Sequence, residues 1–176
     1  VGAPGDVNYG FLADAPIVTA VGAGDMNGDG IAEFYIGDAG FGGGMDSCVR
    51  ALTGPSFSSC GHRGNIHDIA FADTDGNGAD EIFILDDELQ NLGTCDVVAV
   101  VGGDYDDDGV EEFVFGCRDG FVTLDPSGGL GITDACPSGL GSDLLLGPGI
   151  ADVDGDGRSD IVGACDSEII TVNGGI

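Results

Sequence analysis

The chain has 176 residues, among them 32 acidic side chains, four Arg and no Lys, and its formal net charge at pH 7 is −28. This charge excludes nucleic acid as a partner, because phosphate binding needs clustered Lys and Arg. The 35 Gly oppose long helices, since each costs about 1 kcal/mol relative to Ala in a helix interior. The hydrophobic fraction of 42% argues against a disordered acidic tail, and no apolar run reaches the roughly 18 residues of a membrane helix. The sequence therefore predicts one compact, largely non-helical domain without membrane insertion.

Cysteine content indicates the compartment. Six Cys in an acidic chain without Lys suggest an oxidising environment. Because the chain begins at Val1 and carries no signal sequence, we expect a processed product that is secreted, extracellular or at the cell surface.

Residues 1–17 form the first predicted segment, an N-terminal extension outside the repeats described next. Its stretch 7–12 has strand character. Two interpretations stay open: a strand that closes the fold onto its own C-terminal end, or a strand donated to a neighbouring copy.

Four short acidic strings follow along the chain. They are DMNGDGIAE from Asp25, DTDGNGADE from Asp73, DYDDDGVEE from Asp104 and DVDGDGRSD from Asp152. The first and third begin 79 positions apart, and so do the second and fourth. One offset shared by two pairs indicates an internal duplication, as in solenoids and propellers. The chain thus divides into the extension (1–17), a first unit (18–96) and a second unit (97–176), each unit with two strings.

Short segments rich in Val, Ile and Phe flank every string and predict β-strands. The segments before the strings are 16–21, 66–72, 96–101 and 144–151. Those after the strings are 33–36, 81–85, 112–115 and 160–162. Each string is therefore predicted to form the turn of an antiparallel β-hairpin. The Gly- and Ser-rich linkers 40–63 and 119–142 are expected to hold irregular strands and loops.

Each string carries side-chain oxygens at its positions 1, 3, 5 and 9, which a tightly curled loop brings toward one point. The predicted side-chain ligands are Asp25, Asn27, Asp29, Glu33, Asp73, Asp75, Asn77, Glu81, Asp104, Asp106, Asp108, Glu112, Asp152, Asp154, Asp156 and Asp160. Position 6 is Gly in all four strings and permits the sharp turn. Position 7 offers its backbone carbonyl, at Ile31, Ala79, Val110 and Arg158.

An all-oxygen set of this kind suits Ca²⁺. A merely solvated turn would explain one such string, but not four in the same register. We therefore predict about four Ca²⁺ ions. The strings are not EF-hands, because position 12 falls within or at the end of a predicted strand instead of carrying a Glu before a helix.

The pattern strand–DxDxDGxxD–strand resembles the FG-GAP/VCBS repeat family, seen in integrin α-subunit propellers and fungal propeller lectins. The resemblance covers roughly residues 15–38, 64–87, 95–117 and 144–175, and the closing stretch IADVDGDGRSDIVGACDSEIITVNGG carries it best. It implies an all-β fold of β-propeller-like antiparallel hairpins whose turns bind Ca²⁺ through the residues named above. Four small blades, half of a dimeric propeller, or two stacked β-units remain open.

The six Cys are expected to pair in sequential order. Cys48 and Cys60 bracket a Gly/Ser/Pro loop, Cys95 and Cys117 flank the third string, and Cys136 is left with Cys165. Each disulfide would stabilise such a Gly-rich domain by about 2–4 kcal/mol.

Groups for catalysis are scarce, because the sequence has two His and lacks GxSxG, HExxH and the Lys of a P-loop. His67 beside Asp68 is more simply explained as a surface His than as part of a triad. We therefore expect a secreted, non-enzymatic structural or adhesive protein that assembles with copies of itself into a surface layer or fibre. The alternative is a carbohydrate-binding, lectin-like module whose sugar-stacking face would use Tyr9, Tyr35, Tyr105, Phe41, Phe57 and Phe121.

Overall fold

The computed structural model of the chain describes residues 17–39, 47–90, 96–117, 120–124, 130–135, 146–165 and 168–173. Within these ranges every regular element is a β-strand and every strand pair is antiparallel, which confirms the all-β class. The part of the chain so described also has no helix that could cross a membrane. The strands are β1 (Ile17–Gly24), β2 (Glu33–Ala39), β3 (Ser47–Ala51), β4 (Ser58–His62), β5 (Ile66–Ala72), β6 (Glu81–Asp86), β7 (Val97–Gly103), β8 (Glu112–Cys117), β9 (Gly120–Leu124), β10 (Leu130–Ala135), β11 (Leu146–Ala151), β12 (Asp160–Cys165) and β13 (Glu168–Asn173).

Four hairpins carry the acidic strings in their turns, as predicted: β1–β2, β5–β6, β7–β8 and β11–β12. We call these turns loop 1 (25–33), loop 2 (73–81), loop 3 (104–112) and loop 4 (152–160). In each hairpin the residue just before the loop pairs with position 9, as Gly24 pairs with Glu33. The ladder therefore ends where the loop begins and holds the position 9 side chain at its mouth. The 79-residue offset carries the first two hairpins onto the last two within one residue at every strand end.

The strands form four sheets. Sheet 1 has the order β1-β2-β3-β4, sheet 2 is β5-β6, sheet 3 is β7-β8-β9-β10 and sheet 4 is β11-β12-β13. The first strand of each sheet, β1, β5, β7 or β11, packs beside the first strand of the next, so the sheets follow one another in chain order. The linkers contribute the outer strands of sheets 1 and 3. Among the described residues no closed ring of sheets is found, and the propeller-like arrangement of the hairpins stays a prediction.

Three apolar cores lie between successive sheets, because alternate strand residues face the neighbouring sheet. The core between sheets 1 and 2 contains Ala20, Tyr35, Val49, Ile66 and Ile69. The core between sheets 2 and 3 contains Ala70, Ala72, Leu85, Val97, Val100, Phe113, Phe115, Cys117 and Val122. The core between sheets 3 and 4 contains Val114, Phe121 and Ile161, with Ile150, Ile170 and Val172 packed against them. Each large side chain so buried contributes about 1.5–3 kcal/mol.

One disulfide joins neighbouring strands of sheet 1. Cys48 of β3 and Cys60 of β4 are directly opposite in the ladder and are bonded, as sequential pairing predicts. Cys117 is also disulfide-bonded. Cys95, Cys136 and the side chain of Cys165 lie outside the described residues, so the other two pairings stay predictions. Residues 1–16, with the strand expected at 7–12, lie outside them too.

Glycine brings sheets 2 and 3 into close contact. A Cβ added at Gly102 of β7 would overlap the backbone carbonyl oxygen of Phe71 in β5. Only a residue without a side chain fits there, because neither strand can retreat without opening the apolar core that both border.

Substitution Gly102→Ala should therefore lower the free energy of unfolding by about 1–3 kcal/mol or more, the usual cost of overpacking. Urea denaturation at low protein concentration measures the change. The matched control is Gly149→Ala in β11, where an added Cβ meets nothing within 4 Å. Equal loss of stability in both variants would contradict the close contact.

Candidate metal centres

Each of the four loops curls back on itself through two left-handed residues, at positions 4 and 6. Position 6 has φ values of 83°, 85°, 90° and 91° at Gly30, Gly78, Gly109 and Gly157. Position 4 is Gly in three loops, and in loop 3 it is Asp107 with φ 59°. Asp tolerates this conformation better than most residues because its short side chain bonds locally. The position 4 requirement is a feature that the sequence interpretation missed.

The carboxylate at position 1 closes each loop by accepting backbone N–H groups. In loop 2, Asp73 accepts the N–H of Asn77 at 3.0 Å and that of Gly78 at 2.8 Å. Asp25 and Asp104 bind the N–H groups of positions 5 and 6 in the same way, and Asp152 binds those of positions 4 and 6. A carboxylate oxygen has more than one lone pair, so these bonds leave each Asp able to bind a cation as well.

Three predicted side chains meet in every loop. One carboxylate oxygen from each of the three lies within 4.8 Å of the others. The groups are Asp25, Asp29 and Glu33; Asp73, Asp75 and Glu81; Asp104, Asp106 and Asp108; and Asp152, Asp154 and Asp160. Four loops with the same register thus produce four groups that could hold a metal ion.

The remaining predicted ligands lie in the same loops but outside these groups. Asn27 donates through Nδ2 to Glu33 Oε1 at 2.6 Å, which places its amide beside the first group. The position 5 side chains Asn77 and Asp156 accept the N–H of position 7, at 2.8 and 2.9 Å. Position 7 itself, at Ile31, Ala79, Val110 and Arg158, is seen in the structure as the donor of such bonds. Whether its carbonyl binds a cation stays a prediction.

Three of the four position 9 carboxylates are buried, namely Glu33, Glu112 and Asp160. Glu33 is 4% exposed, and its Oε2 has no hydrogen-bond partner among the described residues. Burial raises the pKa of Glu112 to about 7, and repulsion from Asp106, Asp108 and Asp104 adds to the rise. Burial raises the pKa of Tyr35, and the Glu33 charge adds to it. A buried carboxylate without a partner is costly unless a cation compensates it.

Hydrogen bonds join each loop to the next. The Asp25 N–H donates to Asp80 Oδ2 at 2.7 Å, and the Asp80 N–H donates to the Asp25 carbonyl at 2.9 Å. The same reciprocal pair joins Asp73 of loop 2 to Glu111 of loop 3, at 2.9 and 3.2 Å. Loop 4 is joined to loop 3 by the Ser159 N–H, which donates to Asp107 Oδ2 at 3.3 Å. The loops therefore form one row, and position 8, which the sequence interpretation left unassigned, connects them.

Each of the two His contacts a carboxylate that is distant in the sequence. His67 bonds to Asp87 on the surface. Asp68 instead accepts the N–H of Val100 at 3.0 Å, and burial raises its pKa. His67 and Asp68 are thus not a catalytic pair.

A Ser–His–Asp series occurs elsewhere, at the end of β4. His62 contacts Ser59 Oγ through Nε2 at 3.2 Å and Asp86 through Nδ1 at 3.3 Å. Asp86 also accepts the N–H groups of Glu88 and Leu89, both at 3.0 Å. These bonds explain the buried carboxylate as the closing residue of the turn after β6. The non-enzymatic character of the protein stays a prediction.

The aromatic residues assigned to a sugar-stacking face pack inside the fold where they are described. Tyr35 and Phe121 are 3% and 1% exposed. Phe57 packs against the core between sheets 1 and 2, and Tyr105 packs against the core between sheets 3 and 4. Tyr9 and Phe41 lie outside the described residues. The four described candidates therefore pack against the cores and do not form an exposed stacking face.

No protein-family model and no curated protein matches this chain. The resemblance to FG-GAP/VCBS repeats consequently depends on the four motifs alone. Chemically, the loops offer clustered carboxylate oxygens, a donor set that could hold a metal ion.

Proposed function

We propose that the protein is a secreted, calcium-stabilised structural or adhesive protein that assembles with copies of itself into an extracellular layer or fibre. The observation that carries this proposal is the fourfold recurrence of three carboxylates with oxygens within 4.8 Å of one another, in every loop position 1 together with two of positions 3, 5 and 9. An acidic turn that served solubility alone would spread its charges apart, because like charges repel.

Calcium fits this donor set better than magnesium or zinc. The grouped ligands are all carboxylate oxygens, with no His or Cys in any of the four groups, and loops 1 and 2 each add one predicted amide ligand, Asn27 and Asn77. Ca²⁺ accepts six to eight oxygens in variable geometry, whereas Mg²⁺ demands a near-ideal octahedron and zinc prefers nitrogen and sulfur. The orphan Oε2 of Glu33 fits a ligand directed at such an ion.

Calcium binding would also make assembly of so acidic a protein feasible. Four ions of charge +2 would bring the formal net charge from −28 to −20. They would offset negative charge within the loops, where the carboxylates are most crowded. Because the loops are hydrogen-bonded in one row, ordering each loop also fixes the junction between neighbouring sheets. The proposed arrangement is a series of small propeller-like blades, and the Cys48–Cys60 disulfide suits an extracellular setting.

Substitution Asp106→Asn should have opposite effects on stability with and without calcium. The Asn oxygen can still accept the Asp108 N–H, a bond of 3.2 Å in the native loop. In chelator the variant should be as stable as the native protein or more so, because one repelling charge is gone. In calcium it should be less stable, and calorimetric titration should find about three ions where the native protein binds about four.

The matched control is Asp107→Asn. It also removes one negative charge, but at the neighbouring residue, which is not a predicted ligand. Its left-handed φ of 59° suits Asn equally well. The control should bind the full number of ions. Equal calcium affinity in native protein and both variants would contradict the assignment of the loop.

Self-assembly is tested by the molar mass from light scattering at matched concentrations, first in millimolar Ca²⁺ and then in excess chelator. We expect masses far above the 17.5 kDa of one chain in calcium and dissociation in chelator. A monomer under both conditions would contradict the assembly proposal, and the carbohydrate-binding alternative would then be the one to test.

A further inference from the structure

At the two ends of the series of sheets, apolar side chains have no neighbouring sheet among the described residues. At one end is the outer face of sheet 1, which we call end face 1. On it Val21 pairs with Ile36 and Ala23 pairs with Phe34, opposite to the side that packs on sheet 2. Val21 is 69% exposed and Phe34 is 55% exposed. Side chains of this kind are normally covered in a β-sandwich, so the two exposures call for an explanation.

The internal duplication supplies one. An offset of 79 residues carries Val21, Phe34 and Ile36 onto Val100, Phe113 and Phe115 of sheet 3. Those three residues are 6%, 6% and 1% exposed, because sheet 2 covers them. The surface that the second unit buries against the first unit is therefore the surface that the first unit leaves open.

The opposite end repeats this relation. The outer face of sheet 4, which we call end face 4, contains Gly149, Ala151, Val162 and Ala164, on the side away from the core with sheet 3. The same offset relates these four residues to Ala70, Ala72, Phe83 and Leu85 of sheet 2. Those four residues form the sheet 2 side of the core with sheet 3. Ile169, which pairs with Ala164 on end face 4, is 78% exposed.

We propose that end face 1 of one copy packs against end face 4 of a second copy, repeating the junction between sheets 2 and 3. At that junction the Phe83 ring lies between Phe113 and Phe115. Its centroid is 5.5 Å from the centroid of the Phe113 ring and 4.9 Å from that of the Phe115 ring. In the corresponding contact between copies, Val162 takes the place of Phe83 and lies between Phe34 and Ile36. The inference rests on the proposed self-assembly and names the surface that produces it.

Differences between the two junctions make the contact between copies the weaker one. Ala23 stands where the internal junction has Gly102, so the strands cannot approach as closely. Val162 is smaller than Phe83 and buries less apolar area. Two carboxylates of the internal junction, Asp68 and Glu111, correspond to Gly147 and Ala32, which lessens charge repulsion between acidic copies. A weaker junction suits association that is reversible.

The contact joins two different faces, so it is heterologous. Such contacts generate an open filament, or a ring when the rotation between copies closes. Each copy keeps one free end face after it has bound its first neighbour, and growth therefore continues from both ends.

The test uses the full chain with one charge placed on each end face separately. Phe34→Glu blocks end face 1, and Val162→Glu blocks end face 4, with Ile169→Glu as a second variant of that face because its side chain is more exposed. The matched control is Leu89→Glu in the turn after β6, a partly exposed apolar residue on neither end face. Circular dichroism and the number of bound Ca²⁺ ions verify that each variant is folded.

In millimolar Ca²⁺ each end-face variant alone should remain a monomer at concentrations at least tenfold above those at which native protein and Leu89→Glu assemble. An equal mixture of Phe34→Glu with Val162→Glu should form a dimer of twice 17.5 kDa, because one native junction remains available.

Folded end-face variants that assemble like native protein would overturn this inference and leave self-assembly intact. A mixture that stays monomeric would also overturn it, since the native end face 4 of one variant would then fail to bind the native end face 1 of the other. A deletion of residues 1–16 that alone abolishes assembly would assign the contact to that segment instead. Native protein that never assembles would refute the proposed function itself.

Discussion

Repulsion between carboxylates is the interaction on which the rest of this structure depends. Each hairpin turn holds three of them within 4.8 Å of one another, in a chain with 32 acidic and only four Arg side chains. At that separation like charges repel by about 1 kcal/mol per pair even in bulk water, and by more where the groups are shielded from solvent. The loops partly offset the repulsion with backbone N–H donors. In the proposed function calcium supplies the positive charge that the sequence lacks.

The hairpins place that repulsion at fixed points of the fold. The last residue pair of each strand ladder joins the residue before position 1 to the residue at position 9. The sheet therefore fixes both ends of every loop. Position 8 then joins loops 1 to 2 and 2 to 3, at Asp80 and Glu111. The packing of the sheets and the ordering of the loops are consequently coupled, so a cation that orders a loop would also stabilise the junction between two sheets. In the proposed assembly, the exposed end faces would repeat this packing between copies.

Much of this could be predicted from the sequence because the information is local. A ligand pattern nine residues long, which ends in Glu or Asp and is followed by a short run rich in Val, Ile and Phe, specifies a hairpin turn without reference to the rest of the chain. The strand starts after the loops, at residues 33, 81, 112 and 160, are where the sequence predicts them. The offset of 79 residues likewise predicts that the second pair of hairpins repeats the first.

Contacts between distant residues could not be predicted in the same way. Position 8 is acidic in loops 2 and 3 but Ala or Ser in the others, so no pattern reveals its role at the junctions. The buried Asp38 pairs with Arg50 of the neighbouring strand β3, and His62 of sheet 1 bonds with Asp86 of sheet 2, through contacts that no periodicity encodes. The sequence pattern around Tyr35 and Phe121 fits a surface residue as well as a core residue. Only the packing of the neighbouring sheet decides between them. The exposure of Val21 and Phe34 becomes informative only beside the burial of Val100 and Phe113.

The central claim is that calcium occupies the four loops, and anomalous X-ray diffraction from crystals grown in calcium tests it most directly. The account predicts one anomalous peak in each loop, surrounded by about six to eight oxygens at about 2.3–2.6 Å that include the three grouped carboxylates. Loops that show only water between their carboxylates at millimolar calcium would contradict it.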